Sequence, residues 1–300
     1  MRVAAIDCGT NSIRLLIADL IDGVMHERHR EMRVVRLGEG VDATGAFGEA
    51  ALQRTFAACD DYAQLCRAHG AERIRFVATS ASRDASNRDV FIAGVRERLG
   101  VTPDVISGDE EARLSFSGAT RELVGREPAP YLVVDIGGGS TEFVLGEQAP
   151  VAARSVDMGC VRMTERHLAG PAPDQAALVA NIDTLIDVAA QTVDFAQART
   201  LIAVAGSATT VAAMALHLPA YDRDAIHLAR LSAQTVGEVA DRLWAMTHDE
   251  RAALPFMHPG RVDVIVAGAA ILKRIVQRLG VVEIIISEHD ILDGIAWSMA

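Results

Sequence analysis

The sequence predicts an α/β protein that consists of two related domains. Segments with strand-like and helix-like apolar patterns alternate along the 300 residues, and a chain of this length suggests two domains at about 100 to 200 residues each. A strand that ends in Asp, followed by a turn with Gly and Ser, also occurs twice, as AAIDCGTNSIRLL (residues 4–16) and VVDIGGGSTEF (residues 133–143).

The two segments align without a gap when 128 is subtracted from the numbers of the second (135 − 7 = 128). The apolar alternation on both sides of the turn aligns as well. A shared register of strand, Asp, glycine turn, Ser and strand indicates an internal repeat. The identical positions are Asp7 with Asp135, Gly9 with Gly137, and Ser12 with Ser140.

In the first half, three strands precede helices that alternate with strands. Strands are predicted at 2–6, at 13–20 and within 24–37. Apolar residues then recur every three or four positions from Leu52 to Cys66, which predicts an amphipathic helix that stops at Gly70. The remaining elements predicted here are a strand at 74–81, a helix at 87–99 and a short strand at 103–107.

The second half repeats the alternation after the Gly/Pro-containing stretch GREPAP. A stripe from Leu178 to Ala196 predicts a long helix at 172–197. The further predicted elements are a strand at 201–206, helices at 207–217, 232–246 and 262–279, a strand at 281–287 and a helix at 289–299.

Composition argues against several classes of protein. The net charge of −11 argues against a general nucleic-acid surface. No stretch reaches about 18 uninterrupted apolar residues, and no signal-peptide pattern precedes the first strand. We therefore expect a cytoplasmic protein that binds neither nucleic acid nor a membrane, with its four cysteines reduced and mostly buried.

Phosphate would have to be bound without a P-loop. Lys273 is the one lysine of the sequence and lies in an apolar helical pattern, so a GxxxxGK loop is excluded. The two glycine turns offer an alternative, because such a turn exposes successive N–H groups and lets ligand oxygens approach the backbone. Hydroxyl and amide groups of Thr10, Asn11 and Ser12 add donors, while Asp7 and Asp135 are placed to hold a hydrated Mg²⁺. The other interpretation is that both segments are ordinary β-hairpin turns that bind no ligand.

Five motifs, in order, are similar to those of the exopolyphosphatase and guanosine pentaphosphate phosphatase (Ppx/GppA) family. They are IDCGTNSIRLLI, ATSASRDASN, ISGDEEARLSFSGA, VVDIGGGSTEF and MGCVRMTE. The resemblance covers essentially all 300 residues. It implies two ribonuclease-H-like domains of the actin-like ATPase and sugar kinase superfamily, with the active site in the cleft between them. The implied domains are residues 1–124 and 125–288, with the last helix, 289–300, returning to the first.

Within ISGDEEAR, the resemblance implies a catalytic glutamate that activates water as a general base. The sequence indicates which one, because Ser107 and Glu110 fit a helix capping box and leave Glu111 free. Ser115 and Gly118 are small residues on the face of Glu111. The alternative is an exposed glutamate favoured by the helix dipole.

The resemblance implies roles for further residues. Asp135 and Glu142 match an acidic pair implicated in metal binding, although Glu142 would also suit the solvent face of a hairpin. Arg83 matches a phosphate-contacting arginine, for which a surface salt bridge is the alternative. The remaining predicted phosphate-binding residues are Gly9, Thr10, Asn11, Ser12, Gly137, Gly138, Gly139, Ser140, Thr141, Gly206 and Ser207.

Three segments outside these motifs need interpretation. Gly206 and Ser207 open a helix after a strand, where anions bind readily, although members of the family often have a second glycine in place of Ala205. In MHPGRVD, His258, Arg261 and Asp263 fit a cap and turn before the next helix better than a ligand site. The HD dipeptides at 248–249 and 289–290 are interpreted as chance.

The resemblance therefore implies a Mg²⁺-dependent hydrolase, with Mn²⁺ as the alternative metal, that removes the terminal phosphate of inorganic polyphosphate. Longer family members continue into an HD-like helical region, so we expect short chains as substrates and leave a homodimer open. Guanosine pentaphosphate is the alternative substrate, but an aromatic content of 4% offers little stacking surface for a base. A non-catalytic sensor, which would not need a base at Glu111, and a sugar kinase are the competing hypotheses.

Overall fold

The structure is a computed structural model that describes residues 1–170 and 173–300. The chain divides into two compact units. Unit 1 consists of Met1–Gly118 and Ile291–Ala300, and unit 2 consists of Ala119–Asp290. Each unit contains one mixed sheet with helices packed against it, which confirms the predicted α/β class. Strands and helices are numbered along the chain.

The sheet of unit 1 has five strands in the order β3-β2-β1-β4-β5. Its central strand β1 is buried throughout after Arg2, as its apolar sequence predicts. It pairs antiparallel with β2 and parallel with β4. The strands are β1 (Arg2–Cys8), β2 (Ser12–Ile21), β3 (Val24–Val34), β4 (Arg73–Ala78) and β5 (Asp104–Val105).

The long helix of unit 1 confirms the predicted apolar stripe. All five residues of this stripe are buried, namely Leu52, Phe56, Cys59, Ala63 and Cys66. This helix ends at Ala68, and Gly70 follows it with a φ of 67°. The helices along this part of the chain are α1 (Val41–Thr44), α2 (Glu49–Ala68), α3 (Ser80–Asp84), α4 (Arg88–Leu99) and α5 (Gly108–Thr120).

The predicted strand at 74–81 is too long. It ends at Ala78 because its parallel partner β1 ends at Cys8, which is the residue paired with Ala78. No ladder extends further, and Ser80 begins the short helix α3 instead. This helix carries Arg83.

The sheet of unit 2 has six strands in the order β10-β11-β9-β6-β7-β8. Five of them, β8-β7-β6-β9-β11, repeat the order of the first sheet, and β10 adds an antiparallel edge strand. Sequence patterns missed β8 and β10. The strands are β6 (Tyr131–Ile136), β7 (Thr141–Gly146), β8 (Pro150–Val156), β9 (Thr200–Val204), β10 (Ala229–Ser232) and β11 (Glu283–Ile286).

The predicted helices of unit 2 occur in the predicted order, although their bounds differ, and sequence patterns missed three short helices at 160–167, 223–226 and 248–252. Residue 172, the first of the helix predicted at 172–197, lies outside the described residues, and the observed helix runs from Gln175 to Ala190. Asp194 then caps a separate 3₁₀ turn by accepting from Ala196 N–H. The helices are α6 (Cys160–His167), α7 (Gln175–Ala190), α8 (Ala205–Ala215), α9 (Arg223–Ile226), α10 (Ala233–Ala245), α11 (His248–Ala252) and α12 (Ile265–Leu279). The 3₁₀ helices are Phe195–Gln197 and Pro259–Arg261.

The last helix, α13 (Ile291–Trp297), belongs to unit 1 and packs on β1, β2 and β4. Ile291, Leu292 and Ile295 contribute to an apolar cluster with Val3 and Ala5 of the central strand. Among residues 1–170 and 173–300, none of the helices combines the length and the apolar character that a membrane span requires.

Candidate functional site

The first glycine turn, Gly9–Ser12, joins β1 to β2. Gly9 N–H donates to the Ser12 carbonyl at 2.9 Å, and Gly38 N–H donates to the Thr10 carbonyl at 2.8 Å. The N–H groups of Thr10 and Asn11 donate to no other residue that the structure describes. The buried Thr10 hydroxyl also has no hydrogen-bond partner among those residues. Three donors of this turn are therefore available to a ligand, and their role in phosphate binding stays a prediction.

Asp7 lies at the end of β1 and pairs with a cation. Its Oδ2 atom accepts from Arg14 Nε at 3.0 Å and from Arg14 Nη2 at 2.6 Å. The two residues are direct partners across the β1–β2 ladder, and Asp7 is 4% exposed. The guanidinium compensates the charge of this carboxylate without a metal. A metal-binding role of Asp7 stays a prediction.

Glu111 occupies the first turn of α5 and is buried, with 8% exposure. Glu111 takes no part in the helix cap, as predicted, but its carboxylate is bound by an arginine. Arg83 Nη1 donates to Glu111 Oε2 at 2.6 Å and to the Ile106 carbonyl at 3.1 Å. Among residues 1–170 and 173–300, no acceptor is present for Arg83 Nε or Nη2. These two groups can therefore donate to phosphate while Nη1 holds the glutamate.

The capping box predicted next to Glu111 is half correct. Ser107 Oγ accepts from Glu110 N–H at 3.2 Å, as a capping residue does. The Glu110 carboxylate does not return to the helix start; it accepts from Arg75 Nη2 at 2.6 Å. Glu110 is thus engaged on another side of the helix, and Glu111 is the glutamate that faces Arg83.

Burial raises the pKa of Glu111 above its ordinary value, because a low-dielectric environment disfavours the charged carboxylate. The Arg83 guanidinium and a hydrogen bond from Thr79 oppose this shift, while the nearby charge of Asp7 adds to it. Thr79 also adjoins the turn, since a Cβ atom at Gly9 would lie 3.9 Å from its hydroxyl oxygen. Glu111, Thr79, Asp7 and Gly9 therefore form one neighbourhood in unit 1.

The second glycine turn, in unit 2, has the same closure as the first. Gly137 N–H donates to the Ser140 carbonyl at 3.0 Å. The start of α6 holds the carbonyl groups of this turn, through Cys160 N–H to Gly137 O (2.9 Å), Val161 N–H to Gly138 O (2.9 Å) and Arg162 Nε to Gly139 O (2.8 Å). Within the described part of the chain, the N–H groups of Gly138, Gly139 and Ser140 have no acceptor. They form a second set of donors for phosphate oxygens.

Gly159 packs directly against the backbone of this turn. The sequence did not predict this role. A Cβ atom at this position would lie 2.2 Å from the Gly138 carbonyl carbon and oxygen and 2.3 Å from Gly139 N. Contacts this short with backbone atoms exclude any side chain. Gly159 lies within the motif MGCVRMTE, but a close approach to a turn about 20 residues earlier has no local sequence signal.

The hydroxyl groups that follow the second turn differ in their availability. Thr141 is fully buried, and its hydroxyl donates to the Met158 carbonyl. The hydrogen of this hydroxyl is therefore used inside the unit. Ser140 is 2% exposed, and no bond of its hydroxyl to a residue in 1–170 or 173–300 is present. Of the two predicted hydroxyl donors, Ser140 is the better placed.

Asp135 and Glu142 are direct partners across the β6–β7 ladder. Both are buried, with exposures of 6% and 1%. Glu142 Oε1 also accepts from Ser155 Oγ at 2.7 Å. Like charges directly opposite each other destabilise a sheet, and a divalent cation between them would offset this repulsion. The donors are all oxygen atoms, which fit the ligand preference of Mg²⁺.

The start of α8 carries a strained residue and an arginine. Ala205 has a φ of 68°, a conformation that favours glycine. A Cβ atom at the next residue, Gly206, would lie 2.5 Å from Arg261 Nη2, so the guanidinium rests on this backbone. Arg261 Nη1 donates to Thr210 Oγ1 at 3.2 Å. The interpretation of Arg261 as a turn residue is therefore incomplete, because the Arg261 guanidinium places a positive charge at the predicted anion site.

Ser207 connects α8 to the helix that holds the glycine turn. A Cβ atom at Gly268 of α12 would lie 2.2 Å from Ser207 Oγ, so only glycine leaves room for this serine. Burial raises the pKa of the Cys160 thiol, and a hydrogen bond from Ser207 opposes this shift in part. His258 has the predicted capping role, since its Nδ1 accepts from Gly260 N–H at 3.1 Å.

Comparisons with known proteins agree with this arrangement. The Ppx/GppA phosphatase family matches residues 16–300. Exopolyphosphatase 2 of Mycobacterium tuberculosis is 51% identical over 315 aligned positions, which cover 100% of this chain and 98% of the relative. A solved structure of an exopolyphosphatase-like protein is 43% identical, with a TM-score of 0.95 and coverage of 100% and 97%.

A relative that is named for a different activity is also similar. The guanosine-5'-triphosphate,3'-diphosphate pyrophosphatase of Photobacterium profundum is 35% identical over 192 residues, which cover 64% of this chain and 37% of that protein. Together with the family match, these similarities establish that the chain belongs to the Ppx/GppA phosphatase family.

Proposed function

We propose that this protein is an exopolyphosphatase that hydrolyses the terminal phosphoanhydride of inorganic polyphosphate and releases orthophosphate. The observation that carries the proposal is the buried Glu111 carboxylate, which Arg83 holds at 2.6 Å. Family membership and the similarity to exopolyphosphatase 2 support a phosphoanhydride hydrolase. Chain-length preference for short polymers, a homodimer and the cytoplasmic location stay predictions.

Glu111 acts as the general base in this proposal. Its oxygen accepts a proton from water as the water oxygen forms a bond to the terminal phosphorus. The bond between that phosphorus and the bridging oxygen breaks, and its electron pair remains on the shortened chain. A positioned base contributes roughly 10² to 10⁴ to the rate. A carboxylate whose pKa is raised is a stronger base than an exposed one, provided that it is ionised at the working pH.

Arg83 serves the reaction in two ways. Nη1 fixes the orientation of Glu111, so that the base does not lose its position by side-chain rotation. Nε and Nη2, for which residues 1–170 and 173–300 supply no acceptor, then contact oxygens of the terminal phosphate. The planar guanidinium suits this task because its donors match the geometry of phosphate oxygens.

The glycine turns bind the negative charges of the polymer. In unit 1 the donors are the N–H groups of Thr10 and Asn11 and the Thr10 hydroxyl. In unit 2 they are the N–H groups of Gly138, Gly139 and Ser140. Hydrogen bonds to the carbonyl groups of both turns fix the backbone, so the N–H donors need little rearrangement when phosphate binds. Phosphoryl transfer depends on such preorganisation.

Asp135 and Glu142 are the residues proposed to hold Mg²⁺, or Mn²⁺ as the alternative. When bound, the metal supplies neutralisation of charge on the phosphoryl oxygens. The two carboxylates are suited to this because they oppose each other on neighbouring strands and are buried. The hydrogen bond from Ser155 holds the Glu142 carboxylate in place.

Guanosine pentaphosphate is the second candidate substrate. The similarity to the Photobacterium profundum pyrophosphatase favours it. Its terminal 5'-phosphate is attached through the same type of phosphoanhydride bond, so the roles of Glu111 and Arg83 would be unchanged. The two substrates differ in the group that is attached to the terminal phosphates, and the low aromatic content of the chain still favours the polymer.

The experiment measures phosphate release by the purified protein with Mg²⁺ from short polyphosphate, long polyphosphate, guanosine pentaphosphate and ATP. Glu111→Gln should lower release from polyphosphate by about 10² to 10⁴ while polyphosphate still binds. Glu110→Gln is the matched control, since Glu110 precedes Glu111 and pairs with Arg75, and it should leave the rate nearly unchanged.

Other outcomes would replace the proposal. Tight binding of polyphosphate or nucleotide without any phosphate release would favour the sensor. Phosphate transfer from ATP to added sugars, without hydrolysis of polyphosphate, would favour a sugar kinase.

A further inference from the structure

Three side chains with metal-ligating atoms meet in unit 2, and none of them belongs to the proposed active site. Glu122, His227 and His289 each offer one ligand atom, and these atoms lie within 4.8 Å of one another. His227 Nε2 is 3.0 Å from Glu122 Oε2, and His289 Nδ1 is 3.6 Å from Glu122 Oε1. The two imidazole rings are also in contact, with centroids 4.3 Å apart and ring planes tilted by 43°.

We propose that Glu122, His227 and His289 form a binding site for a divalent transition metal of the Zn²⁺ type. Tetrahedral Zn²⁺ with bonds of about 2.0 to 2.1 Å places neighbouring ligand atoms about 3.3 to 3.4 Å apart. The distances from the two imidazole nitrogens to the Glu122 carboxylate, 3.0 Å to Oε2 and 3.6 Å to Oε1, lie on either side of this value, and one ligand atom from each residue lies within 4.8 Å of the others. Small side-chain movements are therefore sufficient to bring the ligands into position.

The ligand set selects the class of metal. Two imidazole nitrogens and one carboxylate suit Zn²⁺ and similar ions and leave a fourth position for water. Mg²⁺ prefers oxygen atoms alone, so this site differs in chemistry from the pair Asp135 and Glu142. Burial raises the pKa of Glu122, but the hydrogen bond from His227 and the neighbouring His289 outweigh it, so the pKa is lowered and the carboxylate is ionised near neutral pH.

The hydrogen bonds of His227 determine what binding must change. Glu288 N–H donates to His227 Nδ1 at 3.2 Å. A neutral ring that accepts at Nδ1 carries its proton on Nε2 and donates it to Glu122. A metal needs the lone pair of Nε2, so the proton has to move to Nδ1 and the bond from Glu288 has to open. Metal binding should therefore expose the Glu288 amide to exchange.

The positions of the ligands along the chain give a second consequence. Glu122 lies near the beginning of unit 2 and His289 near its end, because the unit comprises Ala119–Asp290. A bound metal would connect both ends of this unit to His227. A ligand that binds the folded state and not the unfolded state raises the stability of the fold. We therefore expect the metal to raise the melting temperature.

The test is a calorimetric titration of chelator-treated protein with Zn²⁺, and in parallel with Co²⁺ followed by its visible absorption, in excess Mg²⁺ to occupy oxygen-only sites. We expect one equivalent of transition metal and faster hydrogen exchange at the Glu288 amide. Binding should weaken by about tenfold or more in each of the variants His227→Gln, His289→Gln and Glu122→Gln. The loss of a residue that only hydrogen-bonds to a metal ligand already lowers metal affinity by about 10- to 100-fold.

His248→Gln is the matched control. His248 is also on the surface of unit 2 and lies 3.2 Å from Asp249 and 3.3 Å from Asp263, but it is outside the cluster. Its substitution should leave the affinity unchanged. The proposal fails if no equivalent binds in excess Mg²⁺, or if the cluster variants bind the metal as tightly as the wild type. It also fails if His248→Gln causes the same loss as the cluster variants.

Discussion

Arg14 and Glu142 occupy equivalent positions in the two glycine-turn hairpins, and their charges are opposite. Arg14 is the partner of Asp7 across the β1–β2 ladder, and Glu142 is the partner of Asp135 across the β6–β7 ladder. Both pairs flank a turn closed by the same hydrogen bond, from Gly9 to Ser12 and from Gly137 to Ser140. The repeat has thus kept the hairpin and changed the partner of the aspartate, from a guanidinium to a second carboxylate.

This difference predicts that removing the two charges has different effects on stability. Arg14→Gln leaves Asp7, a carboxylate with a side-chain exposure of 6%, without its guanidinium. It should lower the free energy of unfolding by about 1 to 3 kcal/mol, because a buried charge loses its compensation. Glu142→Gln relieves a like-charge pair and should not destabilise the Mg²⁺-free protein. Urea unfolding of both variants in chelator measures the two effects.

The same comparison predicts where Mg²⁺ acts. Added Mg²⁺ should raise the melting temperature of the wild type, because it binds the folded state. This rise should disappear in Glu142→Gln and remain in Glu147→Gln, a control in the exposed connection after β7. A Mg²⁺-dependent rise of equal size in Glu142→Gln would contradict the assignment of the metal to this pair.

The raised pKa of Glu111 predicts how stability depends on pH. Burial in the folded state favours the protonated form, so ionising Glu111 costs stability. This cost is absent below the ordinary pKa of 4.5 and grows as the pH rises toward the folded-state pKa. Glu111→Gln, which mimics the protonated form, should therefore be more stable than the wild type at pH 7.

The difference should vanish below about pH 4.5, the ordinary pKa of the group. Its limiting value at high pH reports the shift, because one pKa unit corresponds to about 1.4 kcal/mol. Glu110→Gln serves as the control, since Glu110 is partly exposed and pairs with Arg75. If Glu111→Gln were the less stable protein at pH 7, the Arg83 ion pair would outweigh burial and the assigned direction of the shift would be wrong.

Sequence patterns predicted the local features of the site well. Strand ends, glycine turns and the register between Asp7 and Asp135 are local properties, and the structure has both turns at the predicted positions. The helix stripe from Leu52 to Cys66 is likewise a property of one segment. Periodicity and turn chemistry are sufficient for such features, because neighbouring residues determine them.

Contacts between distant segments were not predictable in the same way. Arg83 and Glu111 are 28 residues apart, and the sequence suggested separate roles for them. Arg261 rests on Gly206, although its own segment indicated only a turn. Thr141 was assigned to phosphate, but the fold directs its hydroxyl to Met158. Each of these contacts depends on where a strand or helix ends in three dimensions, which the local sequence does not encode.

Gly159 provides a test of how closely the second turn is supported. Gly159→Ala places a Cβ atom 2.2 Å from the Gly138 carbonyl carbon, so the turn has to move. We expect a loss of about 1 to 3 kcal/mol in stability from overpacking and at least about a tenfold loss in kcat/KM, because misplaced donors no longer match the phosphate. Phosphate-release kinetics and urea unfolding measure the two effects.

Gly237→Ala is the matched control for this prediction. Gly237 lies inside α10, and a Cβ atom there would have no neighbour within 4 Å. Alanine should stabilise the helix by about 0.5 to 1 kcal/mol and leave the kinetics unchanged. Wild-type kinetics in Gly159→Ala would mean that the position of this turn does not limit the reaction.

Ala205 tests whether backbone strain at the start of α8 is needed for function. Its φ of 68° costs an L-residue about 1 to 2 kcal/mol, and glycine removes this cost while adding freedom to the unfolded chain. Ala205→Gly should therefore stabilise the protein by about 0.5 to 1 kcal/mol. Ala208→Gly is the opposite control, because Ala208 is buried in the same helix and its substitution should destabilise the protein by about 1 kcal/mol or more.

Since Ala205→Gly keeps the position of Gly206 and Arg261, phosphate release should stay at the wild-type rate. A stabilised variant with a lower rate would indicate that the strained conformation itself holds the N–H groups of α8 in place for phosphate.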